Sequence, residues 1–335
     1  MTFIIAEVGL AHEGSLGLAF QFIDVAKKVG ADGVKFQTHI ADEESSISEE
    51  FRVNFSKQDN TRYDYWNRTS FTAEEWYKLA EYCKYKEIEF ISSPFSVAAA
   101  EILIKCGVSK WKIASGEVSN KPLLDFIALN PLDIIISTGL ASLEDLDSAL
   151  IKLSNPNYKV YMLHCISKYP TDPMSAGVNL ISQLKEYFGD KIYNVELSDH
   201  SAMKTPSILA VQQGAKVLEL HLTLSNNLFG PDIAASHNPE SFSDLVREVR
   251  FAEICCANNL SFSVKEKNSN EYKTLFGRSL AYAKDLPNGH VLNENDFSYL
   301  KPGGGFIFEE IDQLIGKKLN ISVQARKLVS KYDLL

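Results

Sequence analysis

Five of the chain's seven histidines lie at or just after the end of a short apolar run of residues. They are His12, His39, His164, His200 and His221. Imidazole suits transition metals, and His200 and His221 could both point at one divalent ion, with water and substrate oxygens in its remaining positions. Such an open site acts as a Lewis acid on a carbonyl group. A single histidine in such a place is more often a satisfied core or loop group, so the metal prediction depends on the whole set.

Two lysines, Lys35 and Lys112, interrupt apolar runs of the sequence. A buried ammonium group is unfavourable unless an anion is paired with it, and a structural ion pair would explain either lysine alone. Together with nearby Ser and Thr hydroxyls and loop N–H groups, however, two lysines suit a small, multiply charged anion such as a phosphate ester. Glu7, which ends the first apolar run, could serve as a general base.

Eight short apolar runs, each followed by a helical pattern, would position these residues. The predicted strands are 3–8, 33–36, 88–92, 109–113, 133–137, 159–164, 192–197 and 216–221. Alternating strands and amphipathic helices predict parallel pairing through right-handed crossovers, and eight such units predict an α/β fold of the (β/α)₈ barrel type. An open doubly wound sheet is the alternative, but no GxGxxG follows the first strand. In a barrel, the residues at the strand ends would meet on one rim.

The alternating pattern of predicted strands and helices ends near the C-terminal part of the sequence. We predict that residues 1–262 form the barrel, that the polar stretch 263–276 is a linker, and that residues 277–335 form a small β-rich domain. The last segment contains short strand-like runs, a Pro-Asn-Gly turn at 287–289 and the glycine-rich loop KPGGG at 301–305, with few helical periods.

Composition excludes several classes of function. The 335 residues include 34 Lys and Arg against 43 Asp and Glu, a net charge of −9 that disfavours non-specific binding to nucleic acid or anionic membranes. No apolar run is long enough to span a membrane, and the N-terminus lacks the basic region of a signal peptide. The five cysteines form no CxxC pair, so we expect reduced thiols in a cytoplasmic protein.

A series of ordered motifs covers nearly the whole chain. In chain order they are AEVGLAHEGSL (6–16), GADGVKFQTH (30–39), FISSPF (90–95), KIASGE (112–117), ISTG (136–139), LHCISKYPT (163–171), LSDHS (197–201), LELHLTL (218–224) and GPDIAASHNPE (230–240). These motifs resemble those of the N-acetylneuraminate (sialic acid) synthases and their legionaminate and pseudaminate relatives. The tail RSLAYAKDLPNGHVL (278–292) and the KPGGG loop resemble the antifreeze-like (SAF) domain of that family.

The resemblance implies a TIM barrel followed by an SAF domain, in a domain-swapped homodimer whose SAF loop covers the partner's active site. The implied reaction condenses phosphoenolpyruvate with an open-chain 2-acetamido hexose, similar to N-acetylmannosamine, and yields a nine-carbon 2-keto acid sugar and phosphate. A divalent metal, expected to be Mn²⁺ with Mg²⁺ or Co²⁺ as alternatives, would bind the sugar aldehyde.

The same resemblance implies roles for individual residues. His200 and His221 match the two metal ligands, and Glu7, Lys112 and Glu117 match catalytic positions. The matches to phosphoenolpyruvate-binding positions are Lys35, Ser93, Lys112, Ser115, Ser167 and Ser198. The matches to sugar-contacting positions are Gln37, Tyr169, Asp232 and Lys301.

Four departures from the family's motifs leave the acceptor sugar open. Ala11 replaces an amide residue, Ile166 replaces a threonine, Leu220 replaces a lysine, and Lys301 replaces the arginine that reaches the sugar's N-acetyl group. A lysine keeps the charge of that arginine but loses its planar fork. The acceptor could therefore be a di-acetamido sugar, as in legionaminate or pseudaminate synthesis. Two further hypotheses are a metal-dependent pyruvate aldolase and a sugar-binding protein that has lost catalysis.

Overall fold

The computed structural model describes residues 1–257 and 269–335 of the chain. The chain divides into two compact units, Met1–Ala257 and Asn258–Leu335. Across both described ranges, no helix is long and apolar enough to cross a membrane. Part of the predicted linker, 263–268, lies outside the described residues, and a short helix occupies its last seven residues.

Eight parallel strands form the sheet of the first unit, all of them within residues 1–257. They are β1 (Phe3–Gly9), β2 (Gly33–Thr38), β3 (Glu89–Pro94), β4 (Lys110–Ile113), β5 (Asp133–Ser137), β6 (Val160–Cys165), β7 (Asn194–Asp199) and β8 (Val217–His221). The hydrogen-bonded order β3-β2-β1-β8-β7-β6-β5-β4 is the cyclic order of a barrel, with β3 and β4 at the two ends. The predicted (β/α)₈ architecture is therefore confirmed.

Helices alternate with these strands, as the sequence pattern predicts. They are α1 (Leu16–Lys28), α2 (Ala41–Glu44), α3 (Arg62–Thr69), α4 (Ala73–Tyr85), α5 (Val97–Lys105), α6 (Lys121–Leu129), α7 (Leu143–Lys152), α8 (Leu180–Phe188), α9 (Thr205–Gln212) and α10 (Pro239–Ala257). Thr72 and Glu75 form the capping box at the start of α4. The apolar stripe of α1, which includes Phe22 and Ile23, is fully buried in the core between the helices and the barrel.

Alternation along the strands divides the inside of the barrel into an apolar and a polar layer. Ile5, Ile91, Ile135, Leu163 and Val217 form a separate buried apolar cluster. Side chains two positions apart on a strand face the same side, so the next inward residues lie above this cluster. Those residues are Glu7, Ser93, Ser137, Cys165 and Glu219. The polar layer therefore lies towards the carboxyl ends of the strands, where barrel enzymes hold their sites.

The second unit contains the helix α11 (Asn270–Phe276) and an antiparallel pair of strands, β9 (Ser279–Tyr282) and β10 (Phe297–Leu300). Isolated bridges such as Leu286 to Val323 and Val291 to Lys318 extend the β-rich character. Its own buried core consists of Leu280, Tyr282, Leu286, Leu292, Leu314, Leu319, Val323 and Val329. This unit agrees with the small β-rich domain expected from the sequence.

Candidate active site

Four charged side chains form a buried network in the polar layer of the barrel. Strand register places Glu7 of β1 beside Lys35 of β2, and the Lys35 Nζ lies 2.7 Å from the Glu7 Oε2. Glu219 of β8 lies between the two lysines, with 3.7 Å from its Oε1 to the Lys35 Nζ and 3.7 Å from its Oε2 to the Lys112 Nζ. None of the four is more than 5% exposed, so each lysine has a carboxylate partner in a water-poor environment.

Burial and the neighbouring carboxylates shift the pKa values of the two lysines in opposite directions. Burial alone would lower the pKa of Lys35, but the Glu219 and Glu7 carboxylates outweigh it and raise that pKa. Burial lowers the pKa of Lys112. The Glu219 carboxylate opposes this decrease only in part, and the Lys35 ammonium lowers the pKa further. An incoming anion would favour the charged form of Lys112, so the network is suited to binding negative charge.

Serine hydroxyls line the same layer. The Lys112 Nζ donates to the Ser137 Oγ at 2.7 Å, and the Ser198 Oγ donates to the Glu219 Oε1 at 3.2 Å. The Ser93 Oγ is buried and has no hydrogen-bond partner among the described residues. A buried hydroxyl without a partner is unfavourable, so Ser93 is positioned to bind a ligand.

A glycine after β5 allows two hydroxyls to approach the backbone closely. A Cβ placed on Gly139 would lie 2.3 Å from the Ser167 Oγ and 3.3 Å from the Ser115 Oγ. No side chain larger than hydrogen fits there without displacing the Ser167 hydroxyl. Gly139 therefore permits the observed positions of Ser115 and Ser167, whose hydroxyls line the cavity described below.

His200 and His221 lie close together beside this network, with ring centroids 5.3 Å apart. The His200 Nδ1 donates to the Ile166 carbonyl oxygen at 2.8 Å, which leaves the lone pair of Nε2 available. Burial, with the charge of His221 in second place, lowers the pKa of His200 to about 3 and keeps the ring neutral. A neutral imidazole held through its other nitrogen is the usual form of a metal ligand.

The donor set at this place fits a divalent ion with an open coordination sphere. Within residues 1–257 and 269–335, no group of three or more His, Cys, Asp and Glu side chains is arranged to hold a metal. Two imidazoles would leave the remaining positions to water and substrate, as the sequence predicts. That arrangement fits a catalytic site better than a structural one, which would be closed by protein ligands.

A cavity of about 770 Å³ adjoins the buried network through Gln37, which lines the cavity and donates to the Glu7 Oε1 at 2.7 Å. Seven of the residues predicted from the sequence line it: Gln37, His39, Ser115, Glu117, Ser167, Tyr169 and Asp232. The Tyr169 ring stacks on His200 with centroids 4.0 Å apart, so it lies between the histidine pair and the cavity. Glu117 lies in a short 3₁₀ turn, and burial raises the pKa of its carboxyl although it accepts a hydrogen bond from Asn120.

Three predicted candidates are not among the residues that form this arrangement. Lys301 is an exposed residue of the second unit, with its Nζ 5.9 Å from the centre of the Phe276 ring. His12 is buried and stacks on Phe71 at 4.5 Å, and the His164 Nε2 contacts the Ala176 carbonyl oxygen at 3.0 Å. His164 therefore behaves as the satisfied core or loop histidine that the simpler interpretation describes. His12 is a core histidine whose Nδ1 accepts from the Gly14 N–H, while its buried Nε2 has no hydrogen-bond partner among the described residues. The role of Lys301 stays a prediction.

The departures from the family motifs in the barrel are compatible with this site. Ile166 supplies its backbone carbonyl to His200, so its side-chain type does not affect that contact. Leu220 alternates with Glu219 and His221, and it packs in the apolar core outside the barrel. Ala11 packs against the same core from a turn after β1.

Sequence reasoning missed several residues of the site. Glu219 carries the same signal as the two lysines, a charge within an apolar run, but was not singled out. Arg52 contacts the site from the polar stretch between β2 and α3, with its guanidinium 4.2 Å from the centre of the Tyr169 ring and an ion pair to Asp232 at 3.0 Å. Glu44, in the same stretch, contacts His39. That stretch has no periodic pattern, so no sequence signal points to Arg52 or Glu44.

Comparison with known protein families matches residues 22–260 to the NeuB family and residues 277–334 to the SAF domain. The chain is 34% identical over 334 residues to the N,N'-diacetyllegionaminic acid synthase of Legionella pneumophila, covering 96% of this chain and 92% of that protein. It is 31% identical to a pseudaminic acid synthase of Campylobacter jejuni, covering 99% and 96% of the two chains.

A solved structure agrees with these sequence matches. The N-acetylneuraminic acid synthetase of Leptospira borgpetersenii, crystallised with citrate, superimposes with a TM-score of 0.70 at 30% identity. The match covers 81% of this chain and 91% of that one. The family and the barrel are thus supported by sequence and by fold together, and the second domain is supported by its sequence match.

Proposed function

This chain belongs to the NeuB family, and from that premise we propose that it is a nonulosonate synthase of the sialic acid type. The proposed reaction condenses phosphoenolpyruvate with an open-chain 2-acetamido hexose and releases phosphate, leaving a nine-carbon 2-keto acid sugar. The observation that carries the proposal is the buried network of Glu7, Lys35, Lys112 and Glu219 beside a cavity large enough for a sugar.

Lys35, Lys112 and the hydroxyls of the polar layer would hold the phosphate and carboxylate groups of phosphoenolpyruvate. The enol carbon of the bound substrate would attack the sugar aldehyde, and water would add at the carbon that carries the phosphate. Glu7, already fixed by the Lys35 Nζ and the Gln37 Nε2, would take the proton of that water. The tetrahedral intermediate would then expel phosphate and leave the keto group.

His200 and His221 would hold the divalent metal, with Mn²⁺ expected and Mg²⁺ or Co²⁺ as alternatives. When bound, such an ion would supply Lewis-acid activation of the sugar aldehyde. Tyr169 and Asp232, which line the cavity, would orient the sugar on the side of this histidine pair.

The acceptor sugar and the assembly complete the proposal. A di-acetamido sugar is the alternative acceptor, and the similarity to a diacetyllegionaminic acid synthase supports testing it. The family resemblance supports a domain-swapped homodimer in which Lys301 of the second domain reaches the partner's sugar site. A cytoplasmic location is proposed because all five cysteines are free thiols. A sugar-binding protein without catalysis is less well supported, since Glu7, His200 and His221 are all present.

The test is a phosphate-release assay with phosphoenolpyruvate and Mn²⁺ against a panel of mono- and di-acetamido hexoses. We expect sugar-dependent phosphate release with one class of acceptor and a nine-carbon product by mass spectrometry. Sugar binding without phosphate release under any metal would support the non-catalytic alternative and overturn the proposal.

The metal assignment is tested separately with His221→Ala. We expect this variant to keep the melting temperature of the wild type, to lose metal binding by calorimetry, and to lose metal-dependent turnover. Phosphate release at the wild-type rate in this variant would overturn the assignment.

A further inference from the structure

A continuous chain of hydrogen bonds runs from Glu7 to the wall of the cavity. The Gln37 Nε2 donates to the Glu7 Oε1 at 2.7 Å, and the Gln37 Oε1 lies 3.2 Å from the His39 Nε2. The His39 Nδ1 lies 2.8 Å from the Glu44 Oε1. Two side chains, Gln37 of β2 and His39 just after that strand, thus connect the proposed general base to the carboxyl group of Glu44 in α2, which lines the cavity.

The atoms involved fix the direction of the first two hydrogen bonds in this series, and the direction of the third follows when the His39 ring is neutral. The Glu7 carboxylate, paired with the Lys35 ammonium, can only accept, so Gln37 must present its amide nitrogen to Glu7 and its oxygen to His39. The His39 Nε2 must then carry a hydrogen and donate to that oxygen. With Nε2 protonated in a neutral ring, Nδ1 is an acceptor, and Glu44 can reach it only by donating a carboxyl hydrogen.

The surroundings hold the His39 ring in one plane. It lies between the Trp66 ring, with centroids 4.1 Å apart, and the Phe95 ring, with centroids 4.0 Å apart. The Ser70 hydroxyl donates to the His39 carbonyl oxygen at 3.0 Å and fixes the backbone. With the ring clamped on both faces, changes at Glu44 are transmitted to Gln37 through the tautomer of His39 alone.

We propose that His39 and Glu44 are positioning residues that fix the amide orientation of Gln37 and, through it, the carboxylate of Glu7. A hydrogen on the Glu44 carboxyl group keeps His39 in the tautomer that donates to Gln37. This proposal rests on the proposed function, because Glu7 is the group whose position matters to the reaction.

The electrostatics of the pair agree with this assignment. Burial, with the neighbouring Glu49 carboxylate in second place, raises the pKa of Glu44 to about 8, although Arg62 opposes this change. Burial, followed by the charge of Arg62, lowers the pKa of His39 to about 3, so the ring stays neutral. The other charged groups that act on this pair are Glu7, Lys35 and Glu117.

Loss of the hydrogen from Glu44 reverses the donor and acceptor roles in the hydrogen bonds that connect Glu44, His39 and Gln37. The His39 Nδ1 would then carry the hydrogen and donate to the Glu44 carboxylate, and its Nε2 lone pair would face the Gln37 oxygen. Gln37 would have to rotate its amide group, which would direct its oxygen at Glu7. Since a carboxyl group with a raised pKa is protonated below that pKa, the active arrangement is present below about pH 8 and is lost above it.

The first test compares pH profiles of the phosphate-release assay. We expect kcat of the wild type to fall above about pH 8, while the KM for phosphoenolpyruvate changes little. Glu44→Gln, whose amide can donate to His39 at every pH, should keep kcat within about 2-fold at about pH 7 and lack this alkaline fall.

Two variants remove the hydrogen bonds themselves. Glu44→Ala should lower kcat by about 10-fold, and so should His39→Phe, which keeps the ring stack. Glu50→Gln, which changes an exposed acid that belongs neither to these hydrogen bonds nor to the lining of the cavity, is the matched control and should keep the wild-type profile.

The second test does not depend on turnover. Imidazole ¹⁵N chemical shifts distinguish the two tautomers, and the His39 signals can be assigned by their absence in His39→Phe. We expect the Nε2-protonated form at neutral pH, a change of tautomer near about pH 8 in the wild type, and no change in Glu44→Gln. A change of tautomer in a protein that turns over no sugar would leave the positioning pair intact and reject the proposed function. Turnover with identical pH profiles and tautomers in wild type and Glu44→Gln would reject the positioning pair.

Discussion

The barrel and the second unit both bury carboxylates, but they surround them differently. In the second unit, Asp296 accepts hydrogen bonds from His290 and from the Asn293 amide groups, and it forms an ion pair with Lys284. Most of these partners lie a few residues away in the sequence. In the barrel, Glu7 and Glu219 are paired with lysines of other strands. The partners of Asp296 are thus mostly local in the sequence, whereas those of Glu7 and Glu219 come from distant segments.

This difference separates a structural role from a functional one. A carboxylate whose partners lie mostly nearby in the sequence ties that segment together through hydrogen bonds and ion pairs within the protein. Asp333 is a second example, with the Ser330 N–H and the Lys327 ammonium as neighbours and the Tyr282 hydroxyl as one more distant partner. In the barrel, by contrast, the buried charges lie in the same layer as Ser93, whose buried hydroxyl has no partner in the described residues. Such unsatisfied surroundings are typical of a site that a ligand completes.

The largest effect that this comparison predicts is at Lys112. Burial disfavours the ammonium group, so Lys112→Met should change the melting temperature little while turnover falls about 10²- to 10³-fold. Phosphate release and thermal unfolding measure the two quantities. A large loss of stability with retained turnover would mean that Lys112 is only a structural ion pair.

Lys110, on the same strand, provides the matched control. It is paired with Glu89 and lies at the start of β4, away from the polar layer. We expect Lys110→Met to leave kcat unchanged and to lower stability slightly, because a partly exposed pair contributes less than about 1 kcal/mol.

The opposite behaviour is expected at Asp296 in the second unit. Asp296→Ala removes a fully buried carboxylate and leaves its backbone and side-chain donors unpaired, so the unfolding free energy should fall by about 2 kcal/mol. Chemical denaturation measures this change. If Asp296→Ala were as stable as the wild type, the structural role assigned to Asp296 would be wrong.

The pH dependence of stability gives an independent check on Asp296. Burial alone would raise its pKa, but His290, Asn293 and Lys284 outweigh burial and lower it. Its stabilising contribution is therefore present above the pKa of the unfolded chain and is lost as the pH falls through the lower pKa of the folded state. The wild type and Asp296→Ala should differ in stability at neutral pH and converge in acid.

The contrast between the units also explains what could be predicted from the sequence. The apolar runs predict all eight barrel strands, and the charges within those runs point to Lys35 and Lys112. Residues contributed by aperiodic segments, such as Arg52 and Glu44, become visible only when the chain is folded, because no spacing links them to the strands. The local partners of Asp296 follow a turn pattern that composition alone does not distinguish from an ordinary loop.

The smallest effect that the comparison predicts is at Ser93. Its buried hydroxyl has no partner in the residues that are described, so Ser93→Ala should leave stability unchanged or raise it by up to about 1 kcal/mol. If the hydroxyl binds the anionic substrate, the KM for phosphoenolpyruvate should rise about 10-fold, since a hydrogen bond to a charged group is lost. Steady-state kinetics and thermal unfolding measure both effects on one preparation.

The neighbouring serine makes this prediction decisive. The Ser92 Oγ is hydrogen-bonded to the Thr38 Oγ1 at 2.7 Å and faces the other side of β3. Ser92→Ala should therefore lower stability by about 1 kcal/mol, because it leaves the Thr38 hydroxyl buried and unpaired, and should not change the KM. Two adjacent serines of one strand would then show opposite effects, one on folding and one on binding. If both variants instead lost stability equally and bound substrate normally, an unpartnered polar group in the barrel would not indicate a ligand site.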